Sequence, residues 1–318
     1  MNILTSGVGS EYVLSHLSKF LRAKGHNVIE FDLHKFKDNP YNFIKNLKNQ
    51  GYAYITSAHT NLNYRLATHI SPMYAEEYPR LISPMEIIAT INPSISIYIP
   101  HDLQSPYGEI NTSEKDYLDI YDYIISPFEE DIIEKKLTRA EVLYGGWIKS
   151  YKDINFSIKN SKIRNVYFIS NFHFIREHYP PGILVNLYAD IKKHTYIKFP
   201  EWNDVKRYET EFIKKGFNII PCRTLSTSVI KAFDNIISDN AGSIFAESRY
   251  FGKNFYFFKT NIFLDIQKDI INSGNFLPKE IITSSDFANL KKTNSVVNKV
   301  KLFNFDLVES ILNSSLKT

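Results

Sequence analysis

Short apolar runs alternate with longer amphipathic runs along most of the chain. Apolar runs bounded by turn residues are typical of buried strands, and apolar positions spaced three and four apart are typical of helices packed on a sheet. The alternation therefore predicts βαβ units with parallel sheets, the α/β class. In the first half the predicted elements are strand 2–6, helix 11–24, strand 27–31, helix 41–49, strand 52–58, helix 84–91, strands 94–100 and 121–128, helix 129–137 and an apolar run at 140–148.

A polar, basic segment without clear periodicity, 149–165, interrupts this pattern, and we interpret it as a linker. Two Rossmann-like domains with parallel sheets facing a central cleft are predicted, residues 1–155 and 156–318. A terminal helix is predicted at 306–316 and is a candidate to pack back on the first domain. The other elements predicted after the linker are strands 166–170, 194–199, 217–221, 236–239 and 254–259, and helices 204–215, 225–233 and one beginning near 242.

Composition narrows the class of protein. A chain of 318 residues has room for two domains, and a hydrophobic content of 43% is ample for two cores. The net charge of +4 is mild and does not indicate nucleic-acid binding. A single cysteine, Cys222, excludes an internal disulfide framework and a cysteine-based metal cluster. No apolar run approaches the length of a membrane span, and no signal peptide is evident, so a cytoplasmic protein is expected.

The stretch "IISDNAGSIFAESRYFGKNFYFF" (236–258) has the order strand, small-residue turn, helix, strand. This order places backbone N–H groups at a helix N-terminus, where a diphosphate is held well. Glu247 lies one helical turn beyond Ser243 and could accept from ribose hydroxyls. The alternative is an ordinary turn with Glu247 solvated. The predicted donor-binding residues of this stretch are Ser238, Asp239, Asn240, Gly242, Ser243 and Glu247.

The first strand runs into a glycine-rich turn whose residues are candidates for an acceptor or cleft loop: Gly7, Gly9, Ser10 and Glu11. Glycines there would let a ligand approach the backbone. The spacing is not that of a dinucleotide site, because position 12 is Tyr. A tight structural turn is the alternative.

Polar residues follow other predicted strands. In "YIPHDLQSPYG" (98–108), His101 and Asp102 end a buried strand, where either could remove a proton from a hydroxyl group or simply cap the loop. Lys198 in "HTYIKFPEW" could neutralise a phosphate or be a solvated surface lysine. His59 and His173 also follow strands, and such loop histidines are often structural.

At these residues the sequence resembles the C-terminal domains of GT-B transferases, most closely the bacterial capsule and teichoic-acid group that includes CDP-glycerol glycerophosphotransferases. "SGVGSEYVLSHLSKFLRAKGHNV" resembles the GT-B N-terminal pattern, and "IPHDL" takes the place of a His-Gly motif whose histidine is the proposed base. The sequence departs from the pattern at Asp102 (Gly in the family), Phe199 (His) and Asn254 (Pro). The matching C-terminal residues are Ser238, Asp239, Asn240, Ala241, Gly242, Ser243, Glu247, Gly252 and Lys253.

The resemblance implies a metal-independent glycosyltransferase without a cofactor, which moves a sugar from a nucleotide diphosphate donor to a hydroxyl of a bacterial surface glycan. Three alternatives stay open: a CDP-glycerol-type polyol-phosphate transferase, a nucleotide-sugar 2-epimerase and a non-catalytic nucleotide-binding module. A lipid-linked acceptor would suit weak attachment to the inner face of the cell membrane. The lysines and arginine that could serve it, or could simply be solvated, are Lys159, Lys162, Arg164, Lys291, Lys292, Lys299 and Lys301.

Overall fold

The structure is a computed structural model, and it describes residues 1–7, 14–32, 40–57, 82–100, 118–126, 139–150, 162–202, 204–240, 243–263, 267, 280–290 and 302–315. The chain divides into two compact units. The first comprises Met1–Lys152 and Lys301–Thr318, and the second comprises Asp153–Val300. Each unit is built around its own parallel sheet.

The described strands of the first unit form a six-stranded parallel sheet in the order β2-β1-β3-β4-β5-β6. Every described residue of β3 and β4 is buried, as expected for central strands covered on both faces. The strands are β1 (Asn2–Gly7), β2 (Asn27–Asp32), β3 (Ala53–Thr56), β4 (Ile95–Tyr98), β5 (Tyr123–Ser126) and β6 (Glu141–Tyr144). The helices are α1 (Ser15–Ala23), α2 (Pro40–Asn46), α3 (Pro84–Ile91) and, from the end of the chain, α9 (Phe305–Ser314).

Local sequence explains why α3 begins and ends where the pattern predicts. The Ser83 hydroxyl accepts from the Glu86 backbone N–H, and the Glu86 carboxylate accepts from the Ser83 N–H. This is a capping box followed by a proline at the first helical position. At the other end Asn92 takes a left-handed conformation and stops the helix.

The second unit has six described strands in the order β9-β8-β7-β10-β11-β12. Counted within this unit, the order is 3-2-1-4-5-6, that of a doubly wound nucleotide-binding sheet. The strands are β7 (Asn165–Phe168), β8 (Tyr196–Lys198), β9 (Asn218–Ile220), β10 (Asn235–Ser238), β11 (Asn254–Phe258) and β12 (Ile281–Ile282). The helices are α4 (Phe172–His178), α5 (Pro181–Leu187), α6 (Val205–Lys214), α7 (Ser226–Ala232) and α8 (Ser243–Tyr250).

Three asparagines lock the register of the second sheet at the amino ends of its strands. The Asn254 side-chain amide donates to Asn235 Oδ1 (3.0 Å), and the Asn235 amide donates to Asn165 Oδ1 (2.8 Å). Asn165 in turn donates to the carbonyls of His194 and Phe287, both at 2.9 Å. We call this chain the asparagine ladder. It satisfies buried amides in a single strand register.

The two doubly wound parallel sheets confirm the predicted fold class. Most predicted elements are present with ends shifted by one to four residues, and α3 has the predicted bounds. The pattern missed α4, α5 and β12. The two helices have seven residues each and are separated by Tyr179 and Pro180, too short for a helical period to show. The predicted helix 129–137 lies outside the described residues.

The terminal helix α9 packs within the first unit. Phe305 stacks on Phe20 of α1 with ring centroids 5.4 Å apart, and Lys24 forms an ion pair with Glu309 at 2.9 Å. Val308 and Leu312 are fully buried. No helix in the described ranges is both long and apolar enough to span a membrane.

Candidate functional site

The second sheet reverses its winding direction between β7 and β10, which are neighbouring parallel strands. Ligands of doubly wound sheets bind outside the carboxyl ends of the strands at such a switch point. β10 ends at Ser238, so the predicted donor turn begins directly at the switch point. On the β7 side the residues that reach this position are Ser170 and Asn171.

Asp239 lies at the centre of the switch point and is fully buried. Its Oδ1 accepts from the backbone N–H groups of Ser170 (2.9 Å) and Asn171 (3.1 Å). Its Oδ2 accepts from the hydroxyl of Tyr167 (2.7 Å), which lies 3.0 Å from the Tyr188 hydroxyl. The carboxylate therefore joins two loops instead of facing solvent.

Burial raises the pKa of Asp239 to about 6, because the charged form loses its hydration. The hydrogen bonds from Tyr167 and from the Ser170 and Asn171 amides oppose this shift, since they stabilise the carboxylate. Burial also raises the pKa values of Tyr167 and Tyr188 well above the usual value, so both remain neutral donors.

Further polar contacts tie the same loops together. The hydroxyls of Ser170 and Ser238 are 2.8 Å apart, and Asn171 donates its side-chain amide to the Asp239 carbonyl at 3.0 Å. The Asn240 side chain donates to Asn171 Oδ1 at 3.2 Å. Gln267 donates to the carbonyls of Asp239 (3.1 Å) and Phe258 (2.8 Å), which brings the carboxyl end of β11 into the network.

Helix α8 begins at Ser243, three residues after Asn240. Its first turn carries no acidic side chain, so the positive end of the helix dipole is not offset by a carboxylate of that turn. Glu247 lies on α8 and is fully buried, which excludes the solvated alternative for this residue. Gly242 lies outside the described residues.

The turn between α8 and β11 carries two residues of the predicted resemblance. Gly252 has φ +63°, a left-handed conformation that glycine adopts without strain. The Lys253 ammonium donates to the Lys231 carbonyl at 2.8 Å, and burial lowers the pKa of Lys253. Both residues lie in the turn that connects α8 to β11.

Lys198, the predicted phosphate contact, ends β8 and is 4% exposed. Its ammonium donates to the carbonyl of Cys222 at 3.0 Å, beyond the end of β9. The solvated alternative is therefore wrong. The ammonium also donates to the Phe199 carbonyl at 3.4 Å, so a phosphate would share it with two backbone carbonyls.

The first sheet also has a switch point, between β1 and β3, and it is lined by hydroxyl groups. Ser6 Oγ lies 2.9 Å from Thr56 Oγ1 and 2.6 Å from the Tyr54 hydroxyl. Gly7 is the last residue of β1, paired in register with Asp32 of β2. The remaining predicted loop residues, Gly9, Ser10 and Glu11, lie outside the described residues.

The predicted bases His101 and Asp102 lie outside the described residues, as does His59. In the sequence, His101 and Asp102 directly follow Pro100, two residues after the end of β4 at Tyr98. His173 is in α4, where only its backbone is described. In the part of the chain that the structure describes, no three His, Cys, Asp or Glu side chains are grouped to hold a metal ion.

Sequence reasoning missed the partners of Asp239: Tyr167, Ser170, Asn171 and Gln267. A signal for two of them was present, because the polar pair Ser170-Asn171 directly follows the apolar run of β7. Polar residues in that place reach the edge of the sheet where ligands bind.

No protein-family model and no curated protein sequence matches this chain significantly. Among solved structures it is similar to the S. aureus MnaA–UDP co-structure, at 10% identity and a TM-score of 0.52, over 99% of this chain and 97% of that one. It is also similar to the wall teichoic acid polymerase TagF (11% identity, 99% and 88% of the chains, TM-score 0.49) and to the calicheamicin glycosyltransferase CalG4 (9%, 99% and 89%, TM-score 0.45).

At 10% identity the likeness to the MnaA structure shows the fold alone. The chain has the GT-B fold, with two Rossmann-like domains, and the predicted fold is confirmed. The switch point of the second sheet lies at the turn that the sequence singled out as a donor site.

Proposed function

We propose that the protein transfers a sugar from a nucleotide diphosphate donor to a hydroxyl group of a bacterial cell-surface glycan of the capsule, lipopolysaccharide or teichoic-acid type. The observation that carries the proposal is the position of the turn after β10. It leaves the switch point of a 3-2-1-4-5-6 sheet and leads into α8. The MnaA structure, whose fold this chain shares, holds UDP, which supports a nucleoside diphosphate as the ligand.

The second unit binds the donor in this proposal. Backbone N–H groups at the start of α8 and the helix dipole hold the diphosphate, which needs no metal ion there. The ribose hydroxyls donate to the Glu247 carboxylate, one turn along the helix. Glu247→Ala should then weaken nucleoside diphosphate binding by about 1–3 kcal/mol, because hydrogen-bond partners lose their acceptor.

The first unit binds the acceptor. His101 or Asp102, beyond the carboxyl end of β4, takes the proton from the acceptor hydroxyl. The acceptor oxygen bonds to the anomeric carbon while the bond from that carbon to the diphosphate oxygen breaks. The nucleoside diphosphate leaves with the electron pair, and the α8 N-terminus stabilises its charge.

A lipid-linked acceptor would place the protein at the inner face of the membrane. Lys162 and Arg164 are the described members of the basic set proposed for that attachment, and Arg164 Nε lies 3.8 Å from Asp234 Oδ2. Attraction of basic residues to anionic lipid is screened by salt. Liposome sedimentation that responds neither to anionic lipid nor to salt would remove this part of the proposal.

The proposal is tested first by thermal shift with UDP, CDP, TDP, GDP and ADP on the full chain. One of them should raise the melting temperature, since a ligand that binds the folded state stabilises it. Sugar conjugates of that nucleotide are then assayed for nucleotide release with and without glycan acceptors. Release that requires an acceptor supports glycosyl transfer, whereas product formed without an acceptor indicates an epimerase. CDP-glycerol as the sole active donor indicates a polyol-phosphate transferase.

Binding without turnover on any donor and acceptor pair would identify a nucleotide-binding module instead. Glu209→Ala is a suitable control for Glu247→Ala. Glu209 is also a buried carboxylate of the second unit, but it accepts from the Cys222 N–H beyond β9 and not at the switch point.

A further inference from the structure

One buried carboxylate joins the loop after β7 to the turn after β10. The Ser170 and Asn171 amides both point at Asp239 Oδ1, from a position 68 and 69 residues earlier in the chain. Ser170 and Asn171 directly precede α4, whose first residue is Phe172, so their N–H groups lie outside the hydrogen bonds within that helix. Asp239 supplies the acceptor that this loop needs to keep its shape.

We propose that Asp239 is a positioning residue, which holds the β7–α4 loop against the β10–α8 turn so that the turn is pre-shaped for the diphosphate. This rests on the proposed function, in which the turn receives that group. The sequence placed Asp239 among the donor-binding residues. The geometry instead assigns its effect to Ser170 and Asn171, through which it acts.

Two features argue against direct contact between Asp239 and the donor. Both of its carboxylate oxygens already accept hydrogen bonds from protein groups. A carboxylate against a diphosphate would also repel it, because like charges at close range destabilise each other. A buried acceptor one layer below the ligand avoids that repulsion.

The hydrogen-bond network around Asp239 also includes Gln267, which lies beyond β11. Its side-chain amide donates to the Asp239 carbonyl, and its Oε1 accepts from the Thr260 N–H at 3.1 Å, beyond β11. Described residues just beyond three neighbouring strands, β7, β10 and β11, are thus linked by buried polar groups. A site on such a network changes shape little when it binds a ligand, which favours affinity.

The positioning role of Asp239 needs an acceptor oxygen and not a charge. Asp239→Asn keeps such an oxygen and therefore serves as the conservative control. In Asp239→Asn the remaining Oδ1 can accept from both amides. The new Nδ2 can donate to the Tyr167 hydroxyl, which can in turn donate to Tyr188, 3.0 Å away. Asp239→Ala removes the acceptor altogether.

The first measurement is hydrogen exchange at the Ser170 and Asn171 amides, which needs no ligand. Asp239→Ala should accelerate their exchange by about tenfold or more, because both amides lose their hydrogen-bond acceptor and local opening then costs less free energy. Asp239→Asn should restore slow exchange. Glu209→Ala serves as the control for general loss of stability in the same unit, and it should leave these two amides protected.

The second measurement is the affinity for the nucleoside diphosphate that gives the largest thermal shift. Asp239→Ala should weaken it by about tenfold or more, and Asp239→Asn and Glu209→Ala should stay near the wild-type value. Unchanged amide exchange in Asp239→Ala, or equal loss of affinity in Glu209→Ala, would overturn the positioning role. Tighter binding in Asp239→Asn would also overturn it, since it would mean that the charge faces the diphosphate.

The two proposals fail separately. If the wild type binds none of the five nucleoside diphosphates, the proposed function is wrong, and so is the proposed effect of Asp239 on diphosphate binding. The exchange comparison still decides whether Asp239 shapes the loop.

Discussion

Asp239 is fully buried yet ionisable, and its titration should be visible in the stability of the protein. Its folded pKa of about 6 lies above the ordinary value of 3.8, so the folded state binds the proton more tightly than the unfolded chain. The contribution of Asp239 to the free energy of unfolding should therefore fall as pH rises from about 4 to about 6. Relative to Asp239→Asn, the wild type should lose about 2 kcal/mol over that window, most of the difference that the two pKa values imply.

Urea denaturation of both proteins between pH 4 and 7 measures this difference, and other titrating groups cancel in it. Parallel curves for the two proteins would show that Asp239 does not titrate in this range in the folded state.

The predicted base is tested by turnover separated from binding. His101→Ala or Asp102→Asn should lower kcat by about 10²–10⁴-fold, the usual contribution of a general base. Nucleoside diphosphate affinity should hold, because the proposed phosphate contacts lie in the second unit. Near-normal turnover in both variants, on an established donor and acceptor, would move the base elsewhere, with His59 and Glu11 as the next candidates.

At the residue scale, the sequence predicted the turn after β10 but not its internal contacts. The order strand, small residues, helix is a local property, so Ser238 and Asp239 could be placed at a strand end from pattern alone. The partners of Asp239 could not, because Asn171 is brought to it only by pairing of β7 with β10. The burial of Glu247 and Lys198 likewise depends on packing that a single sequence does not display.

At the element scale, the asparagine ladder should contribute measurably to the second sheet. Asn235 is fully buried, and Asn235→Ala leaves the amides of Asn165 and Asn254 short of a partner. We expect a loss of about 1–3 kcal/mol in the free energy of unfolding, the cost of unsatisfied buried polar groups. Chemical denaturation of the full chain measures it.

The first unit supplies a matched control for the ladder. Asn27 donates to Asn2 Oδ1 at 3.0 Å across β1 and β2, but this pair is solvent-exposed. Asn27→Ala should change the free energy of unfolding by no more than about 0.5 kcal/mol, because water replaces the lost bond. Equal effects of Asn27→Ala and Asn235→Ala would contradict a role for burial in the ladder.

Elements with strong local signals were predictable and weakly marked ones were not. The capping box and Asn92 define both ends of α3 within the sequence itself. By contrast, β12 has two residues and exists only because it pairs with Phe257 and Phe258 of β11. A strand that short has no periodicity to detect.

At the scale of the whole molecule, α9 returns from the end of the chain to the first unit. Leu312 is fully buried there, whereas Leu302 is 47% exposed. Leu312→Ala should lower the stability of the first unit by about 2–5 kcal/mol through lost burial and a cavity, and Leu302→Ala by much less. Hydrogen exchange resolved by segment should show the loss in α1 and β1 rather than in β7 and β10. Equal destabilisation by the two variants would contradict this packing.

The central claim is that the turn after β10 binds a nucleoside diphosphate, and ligand-dependent hydrogen exchange of the full chain tests it most directly. With the nucleotide that gives the largest thermal shift, amides in 238–250 should be protected more than any in the first unit. Glu247→Ala should reduce that protection at equal nucleotide concentration. Protection confined to the first unit, or none with any of the five nucleoside diphosphates, would contradict the claim.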